Sequence, residues 1–219
     1  MINFRKQTLI TTTLVCLLPI VLGIFMYSDL PEQIPVHWNA AGEIDNYMSK
    51  PWAVFGLPVF FAVINIISIV AITNDPKRQN QSKWMKRMII WLVPALSVIL
   101  IPISLLVSIG IRISVPFVVT LLVSILFIVI GNYLPKSRQN YTIGIKLPWT
   151  LHDADNWNKT HRVGGVCFIV GGIILFISNL FQLGKQTGFL NFIIIISTIV
   201  LMVLVPIIYS FVLYRKDQS

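Results

Sequence analysis

The sequence predicts an all-α integral membrane protein with six transmembrane helices and both termini in the cytoplasm, and three observations lead there. Of 219 residues, 56% are hydrophobic and only 11% are charged, against about 25% charged in a soluble domain. Six runs contain no Asp, Glu, Lys, Arg or His: 8–27, 52–72, 88–109, 113–133, 163–183 and 189–213. Each is near the roughly 20 residues needed to cross a hydrocarbon core. Finally, the basic residues fall on alternate connections, as topology requires of a membrane protein.

Taken in order, the first run follows Arg5 and Lys6, which also describes a secretory signal. It exceeds the roughly 7–15 apolar residues of a signal core, and no small-x-small cleavage site follows, so a retained span is expected. Residues 28–51 form the first connection, and Trp52 opens the second span. Only Gly110, Ile111 and Arg112 separate the third and fourth runs. As one helix, 88–133 would extend about 69 Å at about 1.5 Å per residue, more than twice the membrane, so the chain must turn near Gly110. The fifth and sixth spans flank a short connection. Two modules are expected: 1–72, with two spans and an extracytoplasmic loop at 28–51, and 73–219, with four spans and a cytoplasmic loop at 134–162.

Arg5 and Lys6, then Lys77, Arg78, Lys83, Lys86 and Arg87, then Lys136, Arg138, Lys146, Lys159 and Arg162, and finally Arg215 and Lys216 share one side of a six-span chain. Only Lys50, Arg112 and Lys185 lie on the other. This asymmetry places both termini inside. The formal net charge of +9 therefore follows topology and suits anionic lipid head groups of the bilayer. It forms no basic helix or stacking module, and no direct nucleic-acid contact is expected.

The spans lack the ionisable residues that carry coupling ions in transporters. Asn65, Ser68, Ser97, Ser104, Thr120, Ser124, Asn179 and Gln182 are expected to hydrogen-bond between helices. Pro19, Pro58, Pro94, Pro102, Pro116 and Pro206 are expected to kink several spans. Cys16 and Cys167 read as packing residues. Gly164 and Gly165 recur seven residues on as Gly171 and Gly172. That spacing is near two helical turns, so a neighbouring helix could approach closely there, within the bundle or in an oligomer.

Two polar segments remain. In the outer one, 30–51, Pro31 and Pro35 favour extended chain and Asn39–Gly42 reads as a turn. Asp29, Glu32, Glu43 and Asp45 stand against Lys50, and one His among scattered carboxylates does not make a metal site. Trp38 and Trp52 can act as interfacial anchors. The inner segment, 131–165, is crowded with Trp149, Trp157, His152, His161, Arg138 and Arg162 among Pro and Gly. Residues 141–148 read as a short turn-bounded element, and Asp155–His161 as an amphipathic turn leading into the fifth span. On the plainest reading, Trp149 and Trp157 rest at head-group level and Arg162 snorkels.

These segments resemble the SdpI-type immunity proteins of Gram-positive bacteria. The outer loop is similar to the pattern LP-x-x-IP-x-HWN-x-x-G-x-x-D, met by Leu30, Pro31, Ile34, Pro35, His37, Trp38, Asn39, Gly42 and Asp45. The inner segment resembles GNYLP…G-I-[RK]-x-PWTL…W-x-x-THR-x-x-G. Gly131–Pro135, Gly144–Lys146, Pro148–Leu151, Trp157, Thr160–Arg162 and Gly165 fill those places. Lys146 stands where Arg is common, keeping the charge but losing a bidentate fork.

The resemblance implies a membrane immunity protein giving resistance to a secreted, hydrophobic SdpC-like toxin peptide, with no catalysis and no cofactor. It also implies signalling, in which the toxin-bound protein recruits a cytoplasmic autorepressor to the membrane. Expected toxin-engaging residues are His37, Trp38, Asn39, Gly42, Asp45 and Lys50. Gly144, Lys146, Pro148, Trp149, Trp157, Thr160, His161 and Arg162 are expected to form the cytoplasmic surface. The alternative is a transporter or export component for a peptide or lipid-like compound. Kinked spans permit it, but no GxxxxGK[ST] loop or intramembrane charge supports it. An intramembrane enzyme would draw on His37, His152, His161, Asp153 and Asp155, yet no HExxH or G-x-S-x-G is present and His37 is expected across the membrane from the rest.

Overall fold

The computed structural model describes residues 2–39, 41–181 and 189–216. The elements are α1 (Ile2–Phe25), β1 (Gln33–Trp38), β2 (Ile44–Ser49), α2 (Leu57–Thr73), α3 (Lys83–Ser108), α4 (Val115–Tyr133), the short α5 (Pro148–His152), α6 (Ala154–Leu180) and α7 (Phe189–Lys216). Among the described residues, six helical segments are long and apolar enough to cross a membrane: Lys6–Phe25, Trp52–Thr73, Lys83–Ser108, Val115–Lys136, Ala154–Leu180 and Phe192–Lys216. The protein is an all-α multi-span membrane protein to which one small β-hairpin is added. Gln182, Leu183 and Lys185, at and beyond the end of the expected fifth span, lie outside the described residues.

The chain forms two compact units, Met1–Thr73 with Arg87–Val115, and Asn74–Lys86 with Pro116–Ser219. In the first unit, α3 ends as the sequence requires. Gly110 takes φ +93°, Ile111 N–H donates to Leu106 C=O and Gly110 N–H to Val107 C=O. These are the paired bonds of a Schellman stop. Polar side chains bond between helices here, Asn65 Nδ2 to Thr12 Oγ1 at 2.9 Å and Ser97 Oγ to the Cys16 carbonyl at 2.8 Å.

Pro58 lies within the second span, in the first turn of α2 and directly after a π-turn at Trp52–Gly56. Leu57 N–H reaches back five residues to Trp52 C=O. The widened turn accommodates a ring that would otherwise press on the preceding turn. Pro116 likewise falls in the first turn of α4, where a missing N–H removes no helical bond. Pro19, Pro94, Pro102 and Pro206 are interior to their helices.

In the second unit the glycines of α6 serve two neighbours of the same chain. A Cβ on Gly172 would lie 2.8 Å from Ser124 O and one on Gly165 2.8 Å from Gly131 O, both backbone atoms of α4. Gly164 and Gly171 instead meet side chains that include Pro206 and Met202 of α7. Of the two readings of the Gly-rich face, the structure takes the first: the close approach is made inside the bundle. These four glycines are covered by the chain's own α4 and α7 and by the segment between α4 and α6.

Candidate functional site

The outer segment folds as an antiparallel hairpin, with Ile34 opposite Met48 and Trp38 opposite Ile44, and the register slips around His37. Its turn is built by Asn39, whose Oδ1 accepts from the Ala41 and Glu43 N–H groups at 2.9 and 3.0 Å, while Gly42 takes φ +82°. Both residues act on the backbone, which is the ordinary work of Asn and Gly in turns. The hairpin is seated by Ile34 (fully buried), in one cluster with Leu30, Ala53, Val54, Ile101 and Leu105. Ser104 Oγ donates to the Pro35 carbonyl. Lys50 is also packed in: its ammonium lies 3.1 Å from Glu32 Oε1 and 5.0 Å over the Tyr27 ring, with the Tyr27 carbonyl at 3.4 Å. Of the six outer candidates, His37 and Asp45 stand exposed and Trp38 is half-buried. His37 Nδ1 and Asp45 Oδ1 are 2.5 Å apart.

The inner segment is a folded platform rather than a loop. At its centre Trp157 and His161 stack, ring centroids 4.0 Å apart, and both are fully buried. The Trp157 indole N–H donates to the Ser137 carbonyl at 2.8 Å. His161 Nδ1 lies 2.7 Å from the Trp157 carbonyl, and its Nε2 accepts from Ile145 N–H at 3.0 Å. A carbonyl on one nitrogen and a donor on the other fix the Nδ1–H tautomer. Gly144, at φ +130°, passes over these rings so closely that a Cβ would strike Trp157 and His161. The reading of Trp157 as a head-group anchor is thus corrected: its ring is the platform's core.

A second cluster joins the platform to α7. Asn156 Nδ2 donates to Ser210 C=O at 3.0 Å, and Asn156 Oδ1 accepts from Ser210 Oγ at 2.7 Å and Thr160 Oγ1 at 3.0 Å. Ser210 Oγ in turn accepts the Trp149 indole N–H at 2.7 Å, and the Trp149 ring stacks on Tyr214. Thr150, fully buried, bridges Leu147 N–H and the Ile145 carbonyl. The helix that continues as the fifth span starts at Ala154, capped by the Asp153 side chain, so Asp155–His161 and the span are one rod. Among the inner candidates, Lys146, Pro148 and Arg162 are exposed, while Trp157, Thr160 and His161 are buried.

The residue that sequence reasoning missed is Asp75. Its Oδ2 accepts from Gln81 Nε2 at 3.0 Å, Tyr141 N–H at 3.0 Å and Thr142 Oγ1, and its Oδ1 from Lys77 N–H at 2.7 Å. Burial pushes this carboxyl up, but those hydrogen bonds together outweigh it and hold its pKa below the ordinary aspartate value. Gln139 completes the staple: its Oε1 accepts from Lys77 Nζ at 2.7 Å and its Nε2 donates to the Thr150 and Leu151 carbonyls, both at 2.9 Å. Asn140, fully buried, closes the turn with Oδ1 accepting from Thr142 and Ile143 N–H. The available signal was a lone carboxylate before a proline, Asp75-Pro76, in a connection otherwise basic.

Comparison with known proteins bears on both segments. The SdpI/YfhL protein family matches residues 136–210, and a domain of unknown function, DUF1648, matches residues 14–62. The immunity protein SdpI of Bacillus subtilis (strain 168) is 27% identical over 215 residues, covering 96% of this chain and 97% of that protein. The chain is thus similar to the SdpI family, by its model over residues 136–210 and by a relative along nearly its whole length. It is accordingly a multi-pass protein of the cell membrane, related to an immunity protein. No solved structure matches it. The family match takes in the Trp157–His161 core and the Asn156–Ser210 joint, whereas Asp75 lies outside both matched stretches. Among the described residues no group of three or more His, Cys, Asp or Glu could hold a metal ion.

Proposed function

We propose that this protein confers immunity to an SdpC-like secreted toxin peptide, engaged outside the cell by the hairpin. Both termini and the 134–162 platform face the cytoplasm, where the platform presents a surface to an autorepressor. The observation that supports this reading most is the exposed His37–Asp45 pair beside half-buried Trp38. The hairpin is held by Ile34, Lys50 and Asn39, so His37, Asp45 and Trp38 are left to face a partner. The similar Bacillus subtilis protein is an immunity protein, which agrees with that use.

The test is survival of a toxin-sensitive bacterium expressing the chain and challenged with SdpC-type peptide. Wild type should protect, and His37→Ala and Asp45→Ala should lose protection at equal membrane levels. Wild-type sensitivity despite normal insertion would defeat the proposal. A cysteine at Asp45 should react with an impermeant reagent on intact cells and one at Lys159 should not; the reverse would overturn the orientation.

A further inference from the structure

The two edges of the hairpin are not equivalent. Lys50 N–H donates to Glu32 C=O, so the pairs 32/50 and, two residues on, 34/48 are the hydrogen-bonded ones. The backbone groups of Gln33, Pro35, Tyr47 and Ser49 then point away from the ladder. Two side-chain bonds agree with that parity. The Pro35 carbonyl is taken by Ser104, and Tyr47 N–H is taken by Asn46 Oδ1 at 2.8 Å. The β1 edge is therefore closed, by a proline without an N–H and by a helix that occupies its carbonyl. The β2 edge is exposed through Ile44–Tyr47, and a single rotatable Asn side chain covers one of its donors.

Such an edge accepts another strand unless something blunts it. Lysine or proline commonly does so, and β2 contains neither. Its surroundings carry the exposed carboxylates of Asp29, Glu32, Glu43 and Asp45. A second copy of the same acidic edge would be repelled, whereas a cationic chain would be attracted. We propose that the free edge of β2 is a strand-addition site for an extended, cationic peptide segment. This rests on the reading of the hairpin as the toxin-facing element, and it assigns the contact to Tyr47 and Ser49 main chain rather than to side chains alone.

The experiment uses the full chain in phosphatidylcholine liposomes and two short labelled peptides, one alternating Lys and Val and one alternating Glu and Val, followed by anisotropy. The Lys–Val peptide should bind and the Glu–Val peptide should not. Tyr47→Pro removes no ladder bond yet obstructs the edge, and should abolish binding, while Tyr47→Ala should stay within about threefold. Asn46→Ala uncovers the Tyr47 donor and should tighten binding about fivefold, the value of roughly one net hydrogen bond. Binding of neither peptide, equal binding of both, or a Tyr47→Pro protein that binds as wild type would each overturn strand addition. Should Tyr47→Pro not fold, Asn46→Ala still decides, since unchanged or weaker binding refutes the site. Loss of this binding pattern with toxin protection intact would sink strand addition and leave immunity standing. The converse result would sink immunity alone.

Discussion

Replacing Asp75 with Asn changes almost no volume and tests whether one carboxylate holds the 134–162 platform. Asp75 is 4% exposed and accepts four hydrogen bonds. An amide offers one oxygen, so whichever way it turns, its NH₂ group faces donors. If it keeps the Lys77 bond, it opposes the Gln81, Tyr141 and Thr142 donors. Hydrogen bonds to a charged group are worth about 1.5–3 kcal/mol each, and local relaxation recovers part of the loss, giving a net cost of about 3–5 kcal/mol. In local opening that is on the order of 150- to 4000-fold. The assay is amide hydrogen exchange over residues 139–147 in liposomes, with α4 and α6 as internal references. Because the folded pKa is depressed, the carboxylate's contribution is complete above the ordinary aspartate value of about 3.9 and is lost as pH falls through the folded value. Wild-type protection should thus be flat from about pH 5 to 8 and fall only in stronger acid, and the Asn variant should lack that fall. Exchange within threefold of wild type at pH 7 would refute the role given to Asp75.

Further outcomes follow from other contacts. Gly144→Ala, forced into positive φ against the Trp157 and His161 rings, should cost about 2–4 kcal/mol, read as a lower melting temperature in detergent. Ala at Gly165 or Gly172 meets α4 backbone oxygens whereas Ala at Gly164 first meets the Ile145 side-chain end. The first two should therefore destabilise by about 1–3 kcal/mol and the third by less, in the same melts. Ile34→Ala should loosen the hairpin by about 2–4 kcal/mol, measured by proteolysis of residues 33–49. Lys50→Met should change it by about 1 kcal/mol or less, because Glu32 is 85% exposed and screened.

The six spans were legible because uncharged runs of membrane length leave few alternatives, and the stop at Gly110 was legible because one helix could not be so long. The outer turn was legible in Asn39 and Gly42, but its strands were not. Ile34 and Pro35 are buried side by side and the register slips at His37, which erases the period-two signal. The early start of α6 was legible in Asp155–His161, whereas the burial of its polar first turns on the platform rather than in lipid was not. The role of Asp75 depends on pairing with Tyr141 and Thr142, 66 and 67 residues away, and no local pattern encodes that. The seven-residue Gly spacing announced close approach without saying which helix approaches.

The stapling of residues 137–152 has a consequence for recognition. Ordering a free segment costs about 1–2 kcal/mol per residue in backbone entropy, and a partner that binds a disordered loop must offset it. Here folding has already met that cost through Asp75, Gln139, Asn140 and Trp157. A partner docking on Lys146 or Arg162 would meet a prepared surface, so that a few modest contacts could suffice and association need not wait for the loop to fold. Control by melting and reforming the segment would first have to break those hydrogen bonds. A message that leaves them intact would have to move the platform as one body.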